Sequence, residues 1–535
     1  MNRKLFHPAT VILICILNTL NAYCAEPVSI DSVRIRANNI PLITNTMNNF
    51  AFTIRIYAHP GTEETNLRKV SISIDKPEVL ETVKVVGPSF RNSWSDENGE
   101  VIQYFTLGSQ SARHEVVIDG KMPLREGENI FQVSLLPKQD INLTEKVSVH
   151  ISAMEFSSGE NIPVQYVDHS FRMGTLLRTA GQDRIHTYRI PGLVTTQKGT
   201  LIAVYDIRYN NDRDLQEDID VGMSRSTDGG QNWEPMKVIM DMGEWGGLPD
   251  SKNGIGDPSV LIDLSDNTIW VVALWVHGNY SSIQNNRFSQ KGLEPLPDGS
   301  GSQLILVKSV DDGKSWSQPI NITRQTKDPS WERFLQGPGR GICMTDGTLV
   351  FPAQFLDPAR GNAASTIIYS RDHGQSWETG LPAIPGTSEA QVTQLSDGRL
   401  MLNMRGNQKA RLVAVSPSPD QPWTVHETSA KALPEPGCMA SLISTDMLVN
   451  NKMQRVLFFS NPSNTETRSH MTIKASLDNG MTWPADYQLE LNEKNGYGYS
   501  CLTVIDKKTL GILYEGVREL YFQKIPVVDI LSGRN

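Results

Sequence analysis

The chain has 535 residues but few of the features that would cross-link it, anchor it or give it a nucleic-acid surface. There are five cysteines, Cys15, Cys24, Cys343, Cys438 and Cys501, and two of them fall within the first 24 residues. Three scattered cysteines make no disulfide framework. No CxxC pair and no paired-histidine cluster occurs, which excludes a structural zinc. No ordered ligand set for calcium is visible either, so no metal and no cofactor is expected. The apolar run at 11–20 is too short to cross a bilayer core of about 30 Å, and no other stretch reads as a membrane span. An excess of positive charge is also missing. The 59 acidic residues outnumber 50 basic ones, for a net charge of −9, which argues against nucleic acid as the main partner. An anionic small substrate stays open, because a pocket's field is set by the charges within a Debye length of about 10 Å.

The first segment reads as an export signal over 1–24. Arg3 and Lys4 precede the apolar run, and Ala22 stands three residues before a cut after Cys24. The protein is therefore expected to be exported, periplasmic or secreted. A lipid anchor on Cys24 is the alternative; Tyr23 stands against it, since such sites want small residues there.

Two textures follow. From 25 to 165, short segments at 51–58, 70–75, 130–136 and 146–151 alternate apolar and polar residues at period two, separated by Gly, Pro, Asn and Asp. That pattern predicts a β-sandwich with one solvated face per sheet. From 170 to 531 an eight-residue pattern, Ser-x-Asp-x-Gly-x-x-Trp, recurs. It begins at Ser226, Ser309, Ser370 and Ser476 and ends at Trp233, Trp316, Trp377 and Trp483; a degenerate copy runs from Ser416 to Trp423 with Ser418 in the Asp position. Ser and Asp hydrogen-bond nearby backbone N–H groups, Gly supplies a positive φ, and Trp fills space between sheets. A repeat of this kind means a repeat architecture. Its spacing fits four-stranded blades of roughly 60 residues, hence an all-β six-bladed propeller, which leaves few sheet edges exposed. The repeat itself is structural.

The repeat is the Asp-box, and Tyr188-Arg189-Ile190-Pro191 heads the region that carries it. Together they resemble the bacterial exo-sialidases, over about two-thirds of the chain. That resemblance implies hydrolysis of terminal sialic acid with retention, and sialylated glycans as partners. Sialic acid carries a carboxylate on its anomeric carbon. The family holds it with three arginines, which map onto Arg189, Arg405 and Arg468, and a planar guanidinium suits a carboxylate as no lysine does. Glu515 matches the glutamate that orients the first of them. Tyr499, in Gly-Tyr-Gly-Tyr-Ser, matches the family nucleophile; Tyr497 lies two residues away, on the same face if the segment is extended. A neutral phenol avoids bringing a carboxylate nucleophile against the substrate's own carboxylate, and sialidases are a known exception to the two-carboxylate rule. Glu389, in Ser-Glu-Ala-Gln-Val, matches the base that takes the phenol's proton.

Asp214 falls at the acid/base position, six residues after Arg208, with Asp212, Asp218 and Asp220 as rivals in the same loop. It needs a raised pKa, through burial against substrate. Arg208 and Asp257, in Gly-Asp-Pro, are expected to bind the sugar. Trp275 and Trp331 line side pockets or, more simply, the core, and 279–303 reads as a lid insertion. The sandwich is either a carbohydrate-binding unit or a spacer, and in both readings removing 26–165 spares the hydrolysis of a small sialoside. Trans-sialidase and anhydro-forming activities use the same residues. A non-catalytic glycan-binding propeller would lack Tyr499, Glu389 or Asp214.

Overall fold

The computed structural model describes residues 30–532, apart from 45, 47–48, 60–64, 90–105, 160–166, 216, 279–290, 298–299, 360 and 450–451. The 1–24 segment with Cys15 and Cys24 lies outside the described residues, as does much of 279–303. None of the described helices is long and apolar enough to cross a membrane.

The N-terminal sheets follow from the alternation seen in the sequence. Phe50–Ala58 and Asn66–Ile74 bury every second side chain along most of their length. One sheet pairs Ile30–Ala37, Phe50–Ala58, Gly127–Pro137, Leu80–Ser89 and Thr106–Ser111, in that order. The facing sheet pairs Glu115–Pro123, Asn66–Ile74 and Lys146–Phe156. Ile54, Ile56, Val83 and Phe131 from the first meet Val70, Ile72, Val147 and Val149 from the second in one apolar core.

Five further sheets and a continuation of the facing sheet make the six blades of the ring. They begin at Thr187–Thr195, Ile255–Ile262, Arg333–Gln336, Ala390–Gln394, Ser441–Val449 and Ser500–Asp506. The sixth blade is closed by a strand from earlier in the chain. His169–Arg178 pairs with Leu520–Pro526 through Thr175–Arg178, and with the sandwich strand Lys146–Phe156 through His169–Arg172. One sheet therefore runs from the last blade into the sandwich. Leu42–Thr44 adds a parallel partner to the same strand, Arg172 and Lys146 both bind Asp529, and Arg36 binds Glu493. The separable N-terminal unit expected from sequence texture is thus built into the ring's closure, and deleting 26–165 would strip two of the three strands paired with the strand that completes blade six.

The repeat turns are closed as their residues demand. In the first, Ser226 Oγ accepts the Gly230 N–H (2.9 Å) and Asp228 accepts the Asn232 N–H (2.9 Å). Gly230 has φ +88°, and a Cβ there would lie 2.2 Å from the Phe522 ring of the neighbouring blade. Trp233 packs edge-on against the same Phe522, with centroids 5.1 Å apart. In the degenerate copy Ser416 Oγ instead donates to the carbonyls of Ser418 and Gln421. The turn survives without its aspartate.

Candidate active site

The Arg-Ile-Pro segment lies on Thr187–Thr195, whose pairing shifts register between Arg189 and Gly192. Ile190 sits there at φ +59°, a left-handed conformation that strains a β-branched side chain. Its N–H is held by Glu515 Oε1 at 2.8 Å, and the same oxygen accepts Arg189 Nε at 3.1 Å. The other oxygen, Oε2, accepts the Tyr499 N–H at 2.9 Å. One fully buried carboxylate thus locks the first arginine and the tyrosine together. Burial works to lower the Arg189 pKa; Glu515, Tyr499 and Asp214 outweigh it and hold the guanidinium charged.

Tyr499 is 5 % exposed. Its hydroxyl donates to Glu389 Oε1 and accepts Arg405 Nη1 at 3.1 Å, while Arg405 Nη1 also bonds Glu389 Oε2 at 2.7 Å. Glu389 and Arg405 face each other across paired backbone, with Arg405 N–H on Glu389 O at 2.8 Å. Arg189 and Arg468 stand 5.3 and 5.7 Å from the Tyr499 ring centroid. Burial, then the Glu389 charge, pushes the phenol well above its ordinary value, against Arg405 and Arg189. Arg468 is aimed by two carbonyls, Tyr497 O (2.9 Å) and Gly437 O (3.0 Å).

The segment joining the two tyrosines is not extended. Gly498 has φ +86°, and a Cβ there would come within 3.0 Å of Pro462 and Arg468, so the chain turns between them. Tyr497 lies under Arg189 (4.6 Å) and donates its hydroxyl to Asp212 (2.9 Å).

Arg208 is buried and forked. Nε and Nη2 bind Asp206 Oδ2 at 3.1 and 2.8 Å, and Nη1 binds Asp214 Oδ1 at 2.8 Å. Asp206 Oδ1 accepts the N–H of Asp257, which has φ +56°. Burial, then the neighbouring Asp206 and Asp214, raises the Asp257 pKa well above the ordinary carboxylate value. Asp214 is placed differently from Asp257. Its side chain is 73 % exposed, on the loop at the cleft mouth, and Arg189 Nη1 bonds it at 3.0 Å. The pocket pushes its pKa up, but Arg208 and Arg189 push it down by more. The two carboxyls are shifted in opposite directions, Asp257 up and Asp214 down.

Of the nine candidate site residues, Asp214, Asp257, Glu389, Arg405 and Tyr499 line a cleft of about 330 Å³, and Arg189, Arg208, Arg468 and Glu515 each contact one of those five. Leu215, Leu274, Val276 and Leu335 form its apolar wall. The tryptophans do not: Trp275 is buried against Trp245, and Trp331 stacks on Phe355 at 4.1 Å. Asp206, Arg333 and Gln354 were not singled out. Only Asp206 left a signal, two residues before Arg208 on one strand and hence on its face.

Of the rival acids, Asp212 serves Tyr497, and Asp220 accepts the Tyr209 hydroxyl at 2.8 Å. Burial, then Asp241, lifts Asp220 to about 8, and burial, then Asp250, lifts Asp218 to about 6. Both bind protons more tightly folded than unfolded, where an aspartate titrates near about 3.9. Their stabilisation is complete below that value and is lost as pH rises through 6 and 8. Asp220→Asn is expected to flatten the fall in melting temperature between these pH values; an unchanged slope removes Asp220 from the account.

The BNR repeat-like domain family matches residues 199–512. A sialidase of Bacteroides fragilis is 42% identical over 539 residues, an alignment covering 95% of this chain and 97% of that one. A sialidase of Micromonospora viridifaciens is 31% identical over 65% of this chain and 53% of its own. The solved structure of the Hadza microbial sialidase Hz136 aligns with a TM-score of 0.84 and 39% identity, covering 93% of this chain and 99% of that one. Likeness of this degree, sustained from the N-terminal sheets through the last blade, makes the chain a member of the sialidase family, glycoside hydrolases that release terminal sialic acid.

Proposed function

We propose that this sialidase releases terminal sialic acid from glycans with retention, through attack by Tyr499. What carries the reading is the buried Tyr499 hydroxyl on Glu389, flanked by three arginines. Arg189, Arg405 and Arg468 receive the sugar carboxylate. The phenol oxygen attacks the anomeric carbon while its proton passes to Glu389. The glycosidic C–O bond breaks, and the leaving oxygen takes a proton from Asp214. A tyrosyl–sugar bond results. Water then attacks the same carbon as Asp214 takes its proton, the tyrosyl bond breaks, and Glu389 returns the proton to the phenolate.

Asp214 is held by Arg189 and Arg208. A substrate carboxylate on Arg189 competes for that guanidinium, relieving the pull that keeps Asp214 ionised and raising its pKa toward the value an acid needs. Asp257 and Arg208 hydrogen-bond sugar oxygens. The apolar wall from Leu274 to Leu335 suits the methyl of an N-acyl group. Export through 1–24, with a lipid anchor on Cys24 as the alternative, belongs to the same proposal.

The direct test traps the intermediate. A sialosyl fluoride with a second fluorine beside the anomeric carbon forms the tyrosyl bond faster than water breaks it. The adduct is expected on Tyr499 by peptide mass mapping. Modification of Tyr497, Glu389 or Asp214 instead would displace the nucleophile assignment.

A further inference from the structure

Glu515 fixes Arg189, but the other two clamp arginines stand elsewhere, Arg405 just after Leu400–Met404 and Arg468 in the loop before Met471–Ser476. Behind them lies a buried ion pair, Glu435 and Arg411, with side chains 1% and 0% exposed. Glu435 Oε1 accepts the N–H of Gly406, the residue after Arg405, at 3.1 Å. Its Oε2 accepts the N–H of Cys438 at 2.8 Å and faces Arg411 Nη1 at 3.5 Å. Arg411 Nε and Nη2 grip the side-chain and main-chain oxygens of Asn403 at 2.7 and 3.1 Å. Arg411 Nη1 donates to Cys438 O at 2.7 Å. The backbone is therefore held two residues before Arg405 and one residue after it. The Gly437 carbonyl, next to the doubly held Cys438, is one of the two that aim Arg468.

We infer that Glu435 is a positioning residue for carboxylate recognition: with Arg411 it fixes Arg405 and the carbonyl that aims Arg468 as one rigid unit. The inference rests on the clamp reading of Arg405 and Arg468. A buried ion pair is a weak stabiliser, because desolvating two charges cancels most of their attraction. Here the pair's spare donors and acceptors go to main-chain groups flanking two clamp arginines. That spends it on preorganisation, which a transition-state clamp requires.

The test compares two ligands on the full chain: an unsaturated sialic acid inhibitor, and the same molecule with its carboxylate reduced to an alcohol. Glu435→Gln is expected to weaken the acid at least about tenfold and the alcohol less than about threefold. kcat/KM per folded molecule should fall with the acid. Arg411→Lys, which keeps the charge but loses the fork on Asn403, is expected to move the acid-to-alcohol ratio the same way by less. On the unmodified chain, the acid should slow hydrogen exchange at 435–438 more than the alcohol does. A ratio unchanged in the folded variants, or equal exchange with both ligands, overturns the inference. If Arg405→Ala and Arg468→Ala also leave the ratio unchanged, the clamp reading falls with it.

Discussion

Tyr499→Phe is expected to lower kcat by on the order of 10³, or about 4 kcal/mol of barrier. The variant should bind a carboxylate-bearing sialic acid inhibitor almost as tightly as the parent. The reason is geometric. The phenol oxygen is the one atom removed, while Arg189, Arg468 and Glu515 keep their own partners. Arg405 keeps Glu389. Any residual turnover has no phenol to form the first bond, so water must attack the anomeric carbon directly from the face the tyrosine held. One displacement in place of two inverts the sugar. Steady-state rates, inhibitor binding and the anomer of the residual product check the three parts together. Near-normal kcat with retention would show that another group is the nucleophile.

Arg189→Ala is expected to weaken carboxylate-bearing ligands by about 10²-fold or more, since a charge-assisted bidentate contact is lost. It should also lower the melting temperature. Glu515 has a fully buried side chain, and removing its cation leaves it, among the described residues, with the Ile190 and Tyr499 N–H groups. Breaking a buried pair from one side costs roughly 3–5 kcal/mol. Arg189→Lys separates the two effects. It restores charge beside Glu515, and so much of the stability, without restoring the fork that meets a carboxylate. Calorimetric binding and thermal melts of the two variants measure this. Unchanged affinity in Arg189→Ala would remove it from the clamp.

Much of the site is legible in the sequence because short motifs carry it. Arg189 lies in Arg-Ile-Pro, Glu389 in Glu-Ala-Gln-Val and Tyr499 before a serine, and the repeat turns announce the ring. What the sequence hides is support that arrives from far along the chain. Glu435 reaches Gly406 across 29 residues, whereas Glu515, which reaches Arg189 across 326, was legible only through the family resemblance. A lone glutamate has no local pattern that betrays such a partner. The closing strand is hidden for the same reason: His169–Arg178 reads as one more alternating segment, yet half of it pairs with the sandwich and half with the last blade. The extended reading of 497–499 failed on one residue, Gly498, whose left-handed turn sends Tyr497 to Asp212 and Tyr499 to Glu389. The charge state of the carboxyls was also out of reach. Asp214 and Asp257 look alike in sequence, and only their neighbours shift one down beside two arginines and the other up, buried beside Asp206.

The central claim is a double displacement through tyrosine, and a proton NMR time course of the protein with sialyllactose tests it most directly. The account predicts that α-sialic acid appears first and then mutarotates to the β-anomer. Immediate release of β-sialic acid would contradict it, and an anhydro sugar as the first product would keep the tyrosyl intermediate but show that water is not what resolves it.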